Sequence, residues 1–378
     1  MTRTRRGRAI VQAVAVAGLL GLAAAATPLL TKHSVGAQES YPRLAPLPPA
    51  GSVNKDLAEL GRYLFFDSRL SGDWALSCAS CHDPAKGWAD GEPLSKGYPA
   101  SEYFRNAPTV INARYRARFM WDGRLDGADL GTLVRDMVTE AHFMNSDGRL
   151  VQERLKQVPE YLGMWEKAFG KGSEPYGPRM FNAVGEYVKT LVSRNAPFDR
   201  FVQGNHDAIS DEAKEGLRIF LGKAHCISCH NGPVVSDGKL HRLGVPENPA
   251  VWNEPLRAIT MLRHYSTSGM PNYMNARTDV GAYAITKDER DRGKFLTPSL
   301  RELTYTAPYM HNGVFKTLAE VVEFYDRGGG PEGELKPLGL TPAEKQALVT
   351  FLAALSGDPV PGEAPTLPEL QLRPLGKN

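Results

Sequence analysis

Residues 76–84 read LSCASCHDP, and residues 223–232 read KAHCISCHNG. The chain has four cysteines, and these two stretches use them all. In each, two cysteines stand three apart and a histidine follows the second. Cys78, Cys81 and His82, and likewise Cys226, Cys229 and His230, have the spacing of covalent haem attachment. Two thiols at that separation can add to both vinyl groups on one edge of a haem, and the next residue carries an imidazole to the iron. Other chemistries also use paired cysteines. A zinc ribbon sets its pairs about 15–20 residues apart, much closer than these. A structural disulfide suits an exported protein but asks for no adjacent histidine. A thioredoxin-like pair belongs in a βαβ context, which the sequence does not offer.

The surroundings of the two motifs repeat as well. Ahead of the first, NKDLAELGRYLFF places Leu57, Leu60 and Leu64 at helical spacing, with Asn54 able to cap. Ahead of the second, SDEAKEGLRIFLGK has Ser210 as N-cap and acids in the first turn. Gly61, Leu64 and Phe65 match Gly216, Ile219 and Phe220, so the chain reads as an internal duplication. Each unit ends in a further helix. FNAVGEYVKTLVS aligns Phe181, Val184, Val188 and Leu191. TPAEKQALVTFLAALSG has a Thr341/Glu344 capping box, Pro342 at the first position and Gly357 as a stop. The stretch SRNAPFDRFVQGNHDAIS between the units reads as a linker, and YPRLAPLPPAGSVN as an extended arm. Strand patterns are scarce. The expected fold class is mainly α with long loops, each core being filled by a large rigid group.

Composition narrows the partners. Of 378 residues, 42% are hydrophobic, enough for packed cores. The net charge of +3 is spread along the chain without a basic stripe, so no nucleic-acid partner is expected. The N-terminus MTRTRRGRAI is basic, and the uncharged, apolar run Ala13–Ala26 has the length of a signal-peptide core. Val35 and Ala37 offer a cleavage site, and Arg5 and Arg6 a weak twin-arginine signal. The competing reading is an uncleaved anchor, since the uncharged stretch runs on to Leu30. Both readings place the bulk of the protein outside the cytoplasm, in the periplasm.

Four longer stretches carry a resemblance: LGRYLFFDSRLSGDWALSCASCHDPAKGWADG, FRNAPTVINARYRARFMWDGR, HCISCHNGPVVSDGKLHRLGV and GKFLTPSLRELTYTAPYMHNGVFKTLAEVVEFYDRGG. Together they resemble the bacterial dihaem cytochrome c peroxidase and MauG family, over nearly all the mature chain. The resemblance implies two cytochrome c-like domains, 38–205 and 206–378, after a signal or anchor at 1–37. It implies one covalent c-type haem in each domain. The first haem would be the peroxide site and the second the electron-transfer haem.

Site residues follow from the same resemblance. Trp121 matches the tryptophan that relays electrons between the haems. Asn106 matches a calcium ligand, and Thr306 and Pro308 match carbonyl ligands to the same ion, a donor set that suits a hard cation. His311 matches a histidine near the second haem. Tyr325 stands where the peroxidases have a methionine ligand and MauG-like members a tyrosine. The helical face Leu318, Val321, Val322 and Tyr325 would by itself suggest a core tyrosine, and the motif favours an iron ligand. A phenolate there would lower the haem potential, where methionine raises it.

Three positions depart from the family. Tyr98 occupies the place of the loop histidine that caps the first haem in the peroxidases. Phe143 occupies the place of the distal glutamate, and Leu133 that of a usual glutamine. Glu140 and His142 lie close by in sequence and are the candidates to accept a proton. The expected activity is a periplasmic oxidoreductase that reduces hydrogen peroxide or uses it to oxidise a partner. Electrons would come from a small cytochrome c, a cupredoxin or a protein substrate, and family members are often dimers. The rival expectation is a dihaem electron carrier without peroxide chemistry, its pocket closed by Met137, Met144 or His142.

Overall fold

A computed structural model describes residues 43–98 and 101–370. The signal or anchor expected at 1–37 lies outside the described residues. The helices are α1 (Lys55–Phe66), α2 (Leu130–Thr139), α3 (Gly148–Leu155), α4 (Pro159–Phe169), α5 (Gly177–Val188), α6 (Pro197–Val202), α7 (Asp211–Leu221), α8 (Ala250–Asn253), α9 (Pro255–Thr267), α10 (Tyr283–Thr286), α11 (Leu318–Asp326) and α12 (Pro342–Ala353). Strand among the described residues is confined to two antiparallel pairs of two-residue strands, Arg118–Phe119 with Leu125–Asp126 and Leu240–His241 with Phe295–Leu296. The mainly helical expectation holds. No helix among the described residues is long and apolar enough to cross a membrane.

The caps sit where the sequence put them. Asn54 accepts from the amide of Leu57, and Ser210 from that of Ala213. Thr317/Glu320 and Thr341/Glu344 form reciprocal capping boxes. The ends differ from expectation. α5 begins at Gly177 with Pro178 in its first turn, and stops at Val188, so Leu191 is buried beyond the helix. α12 stops at Ala353, short of Gly357. Gly357 serves packing: a Cβ there would overlap the carbonyl oxygen of Arg194.

Apolar residues gather in three clusters. The first includes Leu60, Leu64, Phe65, Trp88, Val184 and Tyr187, with α1 packed on α5. The second includes Phe198, Leu217, Phe220, Leu348, Phe351 and Leu355, with α7 packed on α12. The stretch expected to be a bare linker holds α6, whose Phe198 and Phe201 belong to this second cluster. Two aromatic residues in one turn supply enough apolar area to dock a short helix. The third cluster joins Leu94, Tyr103 and Phe104 to Val251, Met261 and Tyr265 from α8 and α9.

The proline-rich arm starts in the second cluster and runs on past Tyr115 and Arg114. The carbonyl of Arg43 accepts from Gly232 at 2.6 Å, and Leu44 is buried in the second cluster. Ala45 accepts from Arg301 at 3.2 Å. Further along, Pro48 accepts from Tyr115 and Gly51 from Arg114, at 2.9 and 3.1 Å.

Candidate active site

Both cysteine motifs fold into the same turn. Cys78–Ser80 and Cys226–Ser228 are single 3₁₀ turns. The amides of His82 and His230 each donate to the carbonyl of the first cysteine, at 2.9 Å in both. His82 Nδ1 lies 3.2 Å from the carbonyl oxygen of Trp88, and His230 Nδ1 lies 3.3 Å from that of Val235. A carbonyl can only accept, so Nδ1 carries the proton and Nε2 keeps a free lone pair. That is the arrangement a metal-ligating imidazole needs. Burial lowers both histidines to about 4, so they are neutral near pH 7. No disulfide joins the four cysteines, and burial pushes the Cys78 and Cys226 thiols up to about 12. Among the described residues one set of metal donors gathers, Cys229, Asp237 and His241, within 4.8 Å of one another. A zinc reading built on it accounts for only one of two matching motifs.

A largely apolar cavity of about 360 Å³ opens beside the second motif, walled by Phe220, Cys226, His230, Tyr325 and Leu352. A neighbouring cavity of about 510 Å³ shares Cys226, His230, Tyr325 and Trp121 with it. Leu318, Val321, Val322 and Tyr325, the α11 face read from the sequence, all line the first cavity. The Tyr325 hydroxyl makes no hydrogen bond within the described chain, unlike a core tyrosine satisfied by a neighbour. Burial pushes its pKa up, with Cys226 and Cys229 adding to the shift. Arg116 also lines this cavity; burial lowers it to about 10, and its Nε has no partner. Its Nη2 donates to the Ile111 carbonyl at 2.9 Å. A guanidinium with no carboxylate partner among the described residues, on the wall of an apolar slot, fits a flat apolar group that carries carboxylates, and a haem is such a group.

Trp121 lines both cavities and donates from Nε1 to the Asn106 carbonyl at 2.9 Å. Its ring meets His311 edge-on at 6.4 Å, and His311 stacks on Phe295 at 3.6 Å. Burial lowers His311 to about 4. Asn106, Thr306 and Pro308 share one wall of the first cavity. Asn106 donates from Nδ2 to the Glu92 carbonyl at 2.8 Å, which leaves its Oδ1 as an uncommitted acceptor.

Glu140 and His142 come together on the turn after α2. Glu140 Oε2 lies 2.9 Å from His142 Nε2, out of line for a hydrogen bond, and 3.8 Å from Arg124 Nη2. Burial acts to raise Glu140, but His142 and Arg124 outweigh it and hold the carboxyl below its usual value. Phe143 packs on Tyr103 at 4.8 Å, and Leu133 against the first cluster. Met144 is buried in that cluster. Tyr98 sits over Gly72, and its amide donates to the His142 carbonyl at 3.4 Å.

Comparison with known proteins decides the family. Residues 55–207 match the model of the di-haem cytochrome c peroxidase family. The chain is 63% identical to the cytochrome-c peroxidase IdrP2 of Pseudomonas sp. (strain SCT), covering 96% of this chain and 97% of that one. The chain belongs to the di-haem cytochrome c peroxidase family. It is also 35% identical to the methylamine utilization protein MauG of Methylorubrum extorquens, over 87% of this chain and 85% of that one. A solved MauG-like protein associated with microbial copper homeostasis superposes with a TM-score of 0.68 at 25% identity, covering 83% of this chain and 93% of that one.

As a member of this family the protein is a peroxidase-type oxidoreductase with two haems. Sequence reading missed a buried chain of charges that runs through the site. Arg105 makes a two-pronged pair with Asp279 at 2.7 and 2.8 Å and reaches Asp122 at 2.7 Å. Asp122 in turn holds Arg124 at 2.9 Å, and Arg124 faces Glu140. Arg105 holds Asp279 down at about 2 against the effect of burial. Arg105 precedes Asn106 and Asp122 follows Trp121, so each stood beside a residue already singled out. Arg116 lay inside a quoted motif with no local sign that it would be buried.

Proposed function

We propose that this chain is an exported peroxidase whose two haems are attached covalently, through Cys78 and Cys81 and through Cys226 and Cys229. The observation that carries the reading is the repeated turn, in which each histidine gives Nδ1 to a carbonyl and keeps Nε2 free. His82 and His230 would hold the irons, Tyr325 would be the second ligand at the second haem, and Arg116 would pair with a haem carboxylate. When bound, the haems supply the iron that binds peroxide and the electrons that reduce it. The protein supplies position, electrostatics and protons. Glu140 and His142 would take a proton from peroxide and return it to the departing oxygen. Trp121 would couple the two centres. Asn106 Oδ1 with the carbonyls of Thr306 and Pro308 would hold one calcium ion, all being hard oxygen donors. The domains would run 38–205 and 206–378, with 1–37 directing export to the periplasm. The electron source would be a small cytochrome c or cupredoxin, or a partner protein that is itself oxidised; a homodimer fits the family.

Mass spectrometry of the exported protein and stopped-flow absorption with peroxide test the reading together. Two added macrocycles and a peroxide-dependent change at a high-spin ferric haem support it. A bare polypeptide mass overturns it. Two low-spin haems indifferent to peroxide make the protein an electron carrier instead.

A further inference from the structure

Four buried polar atoms in one neighbourhood lack a well-aligned hydrogen bond: Tyr103 Oη has no partner among the described residues, Arg124 Nη2 lies 3.8 Å from Glu140, His142 Nε2 lies out of line at 2.9 Å from Glu140, and His264 Nε2 lies 3.5 Å from Asp122. The Tyr103 and His142 rings lie parallel at 5.5 Å, and the His142 and His264 rings meet at 6.3 Å, close to perpendicular. The His142 and His264 side chains are 8% and 4% exposed. A single orphaned polar atom in a native interior is uncommon and costly. Four imperfectly satisfied groups in one buried cluster can take a small guest that both donates and accepts. Water and hydrogen peroxide are such guests.

The neighbourhood lies one loop away from the first cysteine motif. Lys96 brings its carbonyl to 4.0 Å from the Cys81 sulfur. The same loop, through Tyr98, pairs with the His142 carbonyl. α9, which carries His264, is tied to that loop by Arg257. Its guanidinium donates to the carbonyls of Ser95, at 3.0 Å, and Tyr103, and pairs with Glu102 at 2.8 Å. α9 therefore comes from the second half of the chain and delivers a histidine to the first.

We propose that His264 and the Tyr103 hydroxyl complete, with Glu140 and His142, the pocket that handles protons when peroxide is reduced. The proposal rests on the peroxidase reading and deepens it, because it names what replaces the glutamate missing at Phe143. Reduction of one peroxide consumes two electrons and two protons, breaks the O–O bond and releases two waters. The electrons come from the haem pair, refilled by the reduced donor, and the pocket's part is the protons. His264 is the relay: Asp122 lies 3.5 Å from its Nε2, with Arg105 and Arg124 facing the same ring. Asp122 stabilises the imidazolium when a proton arrives, and burial with the two arginines drives it off again. Phe104 and Tyr265 close the other sides, with ring centroids at 5.6 and 5.8 Å.

The test uses the haem-loaded full chain with His264→Gln and Tyr103→Phe, each nearly isosteric. Two rates are followed against pH: peroxide consumption, and cyanide binding to the resting protein. Hydrogen cyanide must give up a proton as it binds, so its rate reads the pocket without turnover. His264→Gln is expected to slow both about 10²-fold and to remove one ionisation from the pH profile. Tyr103→Phe is expected to slow both several-fold with the profile kept. Wild-type rates and profile in both variants overturn the proposal. So does a loss that tracks thermal destabilisation with no change in profile. If His264→Gln does not fold, unchanged rates in Tyr103→Phe overturn the proposal and slowed rates support it. A wild-type protein that consumes no peroxide removes the peroxidase reading instead, and the cyanide rates still report on the pocket.

Discussion

Gly61 and Gly216 occupy the same place in the two halves of the molecule. Each lies where a helix ahead of a cysteine motif crosses a later helix, α1 on α5 and α7 on α12. A Cβ at Gly61 would overlap the carbonyl oxygen of Ala183, and one at Gly216 that of Ala347. The frames match, and the linings do not. Beyond its motif the second half presents an apolar cavity with one phenol, Tyr325, that has no hydrogen-bond partner. Around its loop the first half presents a carboxylate, a histidine and an arginine, joined by His264 from the second half and tied into a buried chain of charges. One scaffold therefore carries two different linings. On the proposed reading, the division of labour would come from what lines each site and not from the cysteine motif.

The comparison can be broken most sharply at Tyr325. Replacing it with methionine makes the second site resemble the methionine-ligated peroxidases. The second haem potential is expected to rise by on the order of 0.2 V, read by spectroelectrochemistry, while the first stays put. An unchanged potential would remove the phenol from the iron. Next come the glycines. Gly61→Ala and Gly216→Ala should each cost about 3 kcal/mol through overpacking against backbone, seen as similar losses in thermal unfolding. Unequal losses would mean that the two frames differ after all.

A smaller effect concerns Glu247, which lines the second of the two cavities. Burial and nearby Asp279 raise its carboxyl to about 7. The unfolded chain releases this proton near pH 4.5, while the folded one keeps it until about 7. Stability is therefore lost as pH rises across that window. Glu247→Gln should remove the slope and stabilise the protein above pH 7 by about 1 kcal/mol, reduced by the group's partial exposure. Urea denaturation at pH 5 and pH 8 measures it. Smallest is the cap of α11. Thr317→Ala should cost about 1 kcal/mol or less and loosen the helix carrying Tyr325, visible as faster amide exchange there with α12 unaffected.

Local patterns were legible in the sequence. The cysteine spacing, the caps at Asn54, Ser210 and Thr341, and the α11 face all depend on residues within a few positions, and all appear as read. The α5 start and the α12 stop were not legible, because packing overrides terminal signals. α6 hid in a polar-looking linker whose two phenylalanines gave the only hint. The charge chain was invisible for a different reason. Arg105 and Asp279 are 174 positions apart, and neither carries a local sign of its partner. His264 sits on α9, in a stretch with no motif, and its role depends on where a helix from the second half comes to rest.

The arm at residues 43–53 has a consequence for the order of assembly. It leaves the ribosome ahead of every helix among the described residues, yet Gly232 and Arg301, which hold its beginning, are made much later. The earliest of these segments thus waits for partners made long after it, and its docking closes a loop of more than half the chain.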